Sequence, residues 1–335
     1  MRKVIYLILP AFIFLCSAFA QESDTPFSVP AGWPEPAYDF SSNPLRKPVI
    51  ELGKALFFDP VLSRDNTISC ASCHLPQTGF SHTDHDLSHG IENRIGTRNS
   101  PALVNLAWSR SFMWDGAVHN LDMQALAPIT NPDEMDESMP KVIAKLQALP
   151  AYRSQFAKAF ADSQVTGEHA LKALSQYMLT LISCRAKYDL VQNGEAVFNE
   201  YEQRGYSLFK RHCASCHTEP LFTNNSFETI GLPPDTSLHD TGRMKITGKP
   251  ADLHKYKVPS LRNIEVTYPY MHDGRFKSLQ MVLFHYSSGI EKSNNLPRRL
   301  KGGLPLNEEN KRDLIAFLKT LTDETFLHNP NYLPN

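Results

Sequence analysis

The sequence predicts an all-α protein made of two related domains. Three observations carry this reading. The pentapeptide Cys70-Ala71-Ser72-Cys73-His74 recurs as Cys213-Ala214-Ser215-Cys216-His217, 143 residues further on, and a repeat at long offset marks a duplicated unit. Apolar residues recur at helical spacing. Strand signals are weak and short. The 335 residues suffice for about two domains.

The chain opens with Arg2 and Lys3, an apolar run from Val4 to Phe14, and Ala18-Phe19-Ala20 before Gln21. This is the pattern of a cleavable secretory signal over residues 1–20, and it points to the periplasm. The run is short for a membrane span, and no later stretch is long and apolar enough, so no stable membrane insertion is expected. A lipoprotein reading through Cys16 conflicts with the bulky Phe14 and Leu15 just before it. Cleavage removes Arg2 and Lys3 and takes the formal net charge from −1 to −3. No basic run suggests nucleic acid, and that class of partner is set aside.

Residues 21–44 are polar and Pro-rich and read as a loose N-terminal arm. The first domain is expected over 45–193 and the second over 194–330. Before each pentapeptide lies a loosely matching segment, Leu52-Gly53-Lys54-Ala55-Leu56-Phe57 and Arg204-Gly205-Tyr206-Ser207-Leu208-Phe209. Each reads as a short helix whose Gly permits close approach and whose Leu-Phe pair packs inward. Leu171, Leu174, Met178, Leu181 and Ile182 keep helical spacing, as do Leu314, Phe317, Leu318 and Leu321. Asn307 is a candidate N-cap for the latter, with Glu308 and Glu309 in the first turn. The loops 81–100 and 222–255 are long and are expected to cover a cofactor or partner site.

Of six cysteines, Cys16 leaves with the leader. Cys184 reads as a small buried hydrophobe at the end of an apolar helix. The other four form the two pentapeptides. Disulfides would not explain a His after each pair. Cys-x-x-Cys-His attaches haem: the thiols form thioethers and the His is the proximal iron ligand. A zinc site or a redox dithiol competes with this, but two identical copies in an exported chain favour two c-type haems. They would be held by Cys70, Cys73 and His74, and by Cys213, Cys216 and His217.

Further blocks support a resemblance. They are Arg98-Asn99-Ser100-Pro101-Ala102-Leu103-Val104-Asn105; Trp114-Asp115-Gly116; Gln124; Asn131-Pro132-Asp133-Glu134-Met135; Val258-Pro259-Ser260-Leu261-Arg262-Asn263; and Pro269-Tyr270-Met271-His272-Asp273-Gly274. With the two pentapeptides, in this order, the chain from about residue 48 to 322 resembles the bacterial di-haem cytochrome c peroxidases, including their MauG branch. The resemblance implies two cytochrome-c-like domains, each with one covalently bound haem, on either side of their junction.

It further implies roles for single residues. Glu134 matches the acid/base carboxylate of peroxide cleavage and Gln124 its polar partner; unaided, Glu134 would read as a surface acid in a Pro-containing loop. Trp114 matches the tryptophan between the haems. Asn99, Thr267 and Pro269 match an inter-domain calcium site, whose oxygen ligands suit that ion. For the sixth ligand of the first haem, the loop after the first motif offers His82, His85 and His89. His89 lies nearest the expected place, although the loop length differs slightly from the peroxidase pattern. For the second haem the axial position falls fourteen residues beyond His272, at Tyr286, with Met271 and His285 as rivals. The peroxidase branch has Met there and the MauG branch Tyr.

Three functions remain open. A periplasmic peroxidase would reduce hydrogen peroxide to water with electrons from a small c-type cytochrome or cupredoxin. A MauG-like enzyme would oxidise residues of a partner protein, and Tyr286 leans that way. An electron carrier would have both irons permanently filled and no use for Glu134 or Gln124. Assembly as a homodimer is also open.

Overall fold

A computed structural model describes residues 27–334; the expected leader at residues 1–20 lies outside them. The described chain is helix-rich. In order its α-helices are α1 Lys47–Phe58, α2 Cys70–Cys73, α3 Leu126–Thr130, α4 Met139–Ala148, α5 Pro150–Ala159, α6 Gly167–Leu179, α7 Lys187–Gln192, α8 Glu200–His212, α9 Met244–Thr247, α10 Leu279–Phe284, α11 Glu308–Lys319 and α12 Glu324–Leu327. The strands of the described residues form a two-residue antiparallel pair, β1 Phe227–Glu228 with β2 Tyr256–Lys257, in which Phe227 faces Lys257.

Two helix crossings organise the chain. α1 buries Val49, Leu52, Leu56 and Phe57 on one face, the stripe that the 3.6 period dictates. It crosses α6 at Gly53, where an added Cβ would stand 1.8 Å from the Ala173 carbonyl oxygen. α8 crosses α11 in the same way at Gly205, 2.0 Å from the Asp313 carbonyl oxygen. Each Gly lets backbones meet where a side chain would hold them apart, and each crossing precedes a Cys-x-x-Cys-His motif. Asn307 caps α11, its Oδ1 accepting from the Asn310 amide at 2.8 Å.

Two apolar clusters result. One gathers residues from Leu45 to Leu181, the other from Tyr188 to Leu321. α12 returns Phe326 and Leu327 to the first cluster, so the chain's end straps the two together. Arg262 spans the seam as a buried cation, bonded through both terminal nitrogens to Asp189 at 2.8 Å.

Two expectations need correction. Residues 27–44 do not form a loose arm. Phe27, Trp33, Tyr38 and Phe40 pack on the first cluster, the Trp108 indole donates to the Pro34 carbonyl at 2.7 Å, and the Tyr38 hydroxyl donates to Asp122 at 2.8 Å. The prolines suggested a linker, but the aromatic rings between them carry enough apolar area to dock it. Cys184 does not end a helix either: α6 stops at Leu179, and the thiol sits in the extended segment beyond, partly exposed.

A second internal repeat appears in three dimensions. Phe112-Met113-Trp114-Asp115-Gly116 and Tyr270-Met271-His272-Asp273-Gly274 adopt the same turn. Met113 and Met271 have φ of 67° and 75°, Gly116 and Gly274 of 73° and 68°. Each turn closes with a backbone bridge, Phe112 to Val118 and Tyr270 to Phe276. A Met in the left-handed region is costly, and its occurrence at both equivalent sites marks a turn the fold requires. Trp114 and His272 are therefore equivalent positions in the two halves.

Candidate functional site

The first motif is a single helical turn. In α2 the Ser69 amide is met by the Ser72 hydroxyl at 3.1 Å, and Cys70 and Cys73, three residues apart, share one face. His74 follows at the C-cap, half-buried. Its Nδ1 lies 2.8 Å from the Phe80 carbonyl. A carbonyl only accepts, so Nδ1 carries the hydrogen and Nε2 keeps its lone pair. Burial pushes the imidazole down to about 4 and holds it neutral.

The second motif repeats this. Cys213 caps the C-terminus of α8. The His217 Nδ1 lies 3.1 Å from the Phe222 carbonyl and 3.2 Å from that of Pro259, and burial lowers this imidazole to about 4 as well. Both histidines thus present a neutral, oriented Nε2, the state an iron ligand needs. All four motif thiols are free of disulfides. These donor sets fit a covalently held haem.

Cys213, Cys216 and His217 open on a cavity of about 290 Å³ that runs to Trp114, Asn99 and His272 at the junction. Tyr286 enters this cavity from a single π-helical turn, His285–Gly289, that continues α10. Such turns insert an extra residue and re-aim a side chain. Burial raises the Tyr286 hydroxyl well above the usual phenol range. Of its two rivals, Met271 also lines the cavity. His285 is occupied elsewhere, its Nε2 donating to the Ile230 carbonyl at 3.0 Å.

Beside the first motif stands Glu134. Its Oε1 accepts from the Asn131 amide nitrogen at 2.9 Å, and burial raises its carboxyl above the ordinary range. The loop carrying His89 is locked to it. The Ile91 amide donates to the Glu134 carbonyl at 2.8 Å, and a Cβ on Gly90 would stand 2.5 Å from that oxygen. The His89 carbonyl lies 3.6 Å from the Cys73 sulfur, while its ring stacks on His85 at 4.1 Å, which stacks on His82 at 5.2 Å. Gln124 does not bond to Glu134. Its Nε2 points to the Met113 sulfur at 3.8 Å, and α3 lies between the two residues.

At the junction Trp114 donates to the Asn99 carbonyl at 2.8 Å, and the Asn99 amide donates to the His272 carbonyl at 2.7 Å. Asn99, Thr267 and Pro269 line the same cavity. Among the described residues no group of three or more His, Cys, Asp or Glu side chains is arranged to hold a metal ion.

Sequence reasoning missed the charges here. Arg98 makes two 2.7 Å bonds to Asp240 and one of 2.7 Å to Asp115. Tyr256 stacks on His272 at 3.7 Å. Lys257 reaches the cavity from β2. Arg98 opens a block singled out in the sequence, and Lys257 directly precedes another, but neither motif says what these cations pair with.

Known proteins can now be set beside this geometry. A family model described as di-haem cytochrome c peroxidase matches residues 47–197. The chain is 40% identical to a methylamine utilization protein MauG of Methylorubrum extorquens, over 89% of this chain and 84% of that one. It is 37% identical to a cytochrome c551 peroxidase of Nitrosomonas europaea, over 82% and 80%. A crystal structure of a MauG-like protein associated with microbial copper homeostasis superposes with a TM-score of 0.82 at 31% identity, covering 92% of this chain and 99% of that one. The paired motifs, their oriented imidazoles and these likenesses lead to one assignment: this chain belongs to the di-haem cytochrome c peroxidase family.

Proposed function

We propose that the protein is a periplasmic enzyme with two c-type haems, one in each of its two domains, that reduces hydrogen peroxide to water with electrons from a small c-type cytochrome or cupredoxin. The observation that carries this reading is the Glu134 carboxyl, enclosed beside the first motif and raised by burial. An electron carrier has no use for such a group. No helix of the described residues is long and apolar enough to cross a membrane.

Haem iron on the His74 side would supply an open position for peroxide, and the second haem the route by which electrons arrive. The protein's own part is proton movement and positioning. Glu134 takes a proton from one peroxide oxygen and returns it to the other, which leaves as water. The overall balance is H2O2 with two protons and two electrons giving two waters. Asn131 aims the Glu134 carboxyl, and Gln124 stands at the other end of α3 with its amide on the Met113 sulfur. Trp114, fixed through Asn99, offers an oxidisable ring between the two sites. The Asn99 Nδ2 donates to the Asp86 carbonyl at 3.0 Å, which turns Oδ1 away from it; that oxygen, with Thr267 and Pro269, would ligate a calcium ion.

A second reading is favoured by Tyr286. As a phenolate, its oxygen would lower the potential of a haem held at the second motif and stabilise the oxidised forms. That suits withdrawal of electrons from residues of a partner protein, as in the MauG branch. Stopped-flow mixing of the holoprotein with peroxide, with and without reduced cytochrome c, separates the two. Turnover of the cytochrome supports the peroxidase, and a long-lived oxidised state indifferent to it supports the second reading. No reaction with peroxide overturns both.

A further inference from the structure

We propose that Lys257 is the cation that receives a propionate carboxylate of the haem held by Cys213, Cys216 and His217, and that it ties this carboxylate to the turn carrying Trp114. The proposal rests on the di-haem reading and extends it to a residue to which neither the motifs nor the family blocks gave a role.

Two Lys or Arg side chains line the cavity beside the second motif, Arg299 and Lys257. Arg299 already has an acid, Glu228 at 3.2 Å. Lys257 has none. Its Nζ donates to the Ser111 carbonyl at 2.9 Å and stands 5.9 Å from the Phe112 ring; no carboxylate among the described residues lies within ion-pair distance. Lys257 is half-buried, and desolvation alone pushes its ammonium down to about 8. A buried charge met only by neutral groups is expensive, and proteins supply it with a counter-charge. An ammonium has three donors, and here one is used on Ser111. The cavity wall thus keeps a cation with unspent donors where an anion is to be bound.

The group expected in this cavity brings two carboxylates with it. The acids on the same wall narrow where they can go. Asp240 is engaged by Arg98 and Glu228 by Arg299, so neither leaves a cation free. Lys257 is the site of positive charge that remains. It is also a strap. Its backbone amide donates to the Trp114 carbonyl at 2.7 Å, and its side chain reaches back to Ser111, directly before that turn. A carboxylate on Nζ would therefore be coupled to the ring between the two motifs through one residue of β2.

The test compares wild type with Lys257→Met and Lys257→Arg. Haem stoichiometry is measured by pyridine haemochrome, and the potential of each haem by spectroelectrochemical titration. Reduction adds an electron, so a nearby cation favours the reduced form. Removing it should shift one haem to lower potential, leave the other in place, and be largely reversed in Lys257→Arg. Two haems with both potentials unchanged in Lys257→Met would overturn the proposal and leave the di-haem reading intact. A wild-type chain without haem would overturn both. Should Lys257→Met fail to accumulate, resonance Raman of the propionate bending modes in wild type and Lys257→Arg reads the same contact. A shift in one mode supports it, and identical spectra overturn it.

Discussion

The Trp114 indole donates its hydrogen to the backbone carbonyl of Asn99 at 2.8 Å, and Asn99 is held on its other side by His272. Trp114 and His272 occupy equivalent turns, so one residue is clasped by both halves of the duplication. The bond fixes the plane of the ring facing the cavity. Trp114→Phe keeps an aromatic of similar shape, removes the bond and makes the ring harder to oxidise. The expected outcome is full haem content, an undiminished first reaction with peroxide, and electron delivery between the haems slowed by at least about tenfold, read by double-mixing stopped flow. Unchanged delivery would remove Trp114 from the route.

On the proposed function Glu134 must be ionised to accept the peroxide proton, and burial raises its carboxyl. The active form is therefore lost as pH falls, and the loss begins above the ordinary carboxylate range. Glu134→Gln keeps the Asn131 contact but cannot take the proton. It should slow the peroxide reaction by roughly 10²-fold or more, without changing haem content, and should abolish the acidic limb of the pH–rate profile. A variant retaining both rate and limb would show that another group moves the proton.

Much of this architecture is legible in the sequence because it rests on local rules. The Cys-x-x-Cys-His motifs name the residues that would hold a haem, and a helix stripe with one Gly announces a close crossing. The Asn307 cap needs three residues to be recognised. Pairings across the fold leave no such trace. Arg98 meets Asp240 from 142 residues away, and Lys257 sits in a two-residue strand with no periodicity to betray its burial. The repeat of Met113-Trp114 with Met271-His272 was available in the letters. It is masked because Trp and His differ, and the shared backbone turn, not the side chain, is what recurs. Gln124 and Glu134, ten residues apart, suggested a pair, but α3 intervenes and turns the amide toward Met113.

The two Gly crossings give a direct measure of how far the duplication is structural. Gly205→Ala places a methyl 2.0 Å from the Asp313 carbonyl oxygen, and Gly53→Ala one 1.8 Å from that of Ala173. Backbone cannot yield as a flexible side chain can, so the helices must part. Each substitution should cost about 1–3 kcal/mol or more, seen as a lower Tm by circular dichroism. Equal and additive losses would mean that the two halves are stabilised independently. A non-additive double variant would mean that α12 and the Arg262–Asp189 pair couple them.

Tyr286 offers the sharpest choice between the two functional readings. It enters the cavity through the π-turn, while His285 beside it is committed to Ile230. Tyr286→Phe should alter the absorption and the potential of the second haem only. Tyr286→Met should raise that potential, since a thioether ligand favours the reduced iron. If the protein works by holding oxidising power for a partner, the Met variant should consume peroxide faster with reduced cytochrome c and lose the long-lived oxidised state. If it is a peroxidase already, the same variant should change the potential and leave turnover nearly as it was. A Tyr286→Phe spectrum identical to wild type would transfer the axial role to Met271, the other sulfur or oxygen donor among the three candidates that faces the cavity.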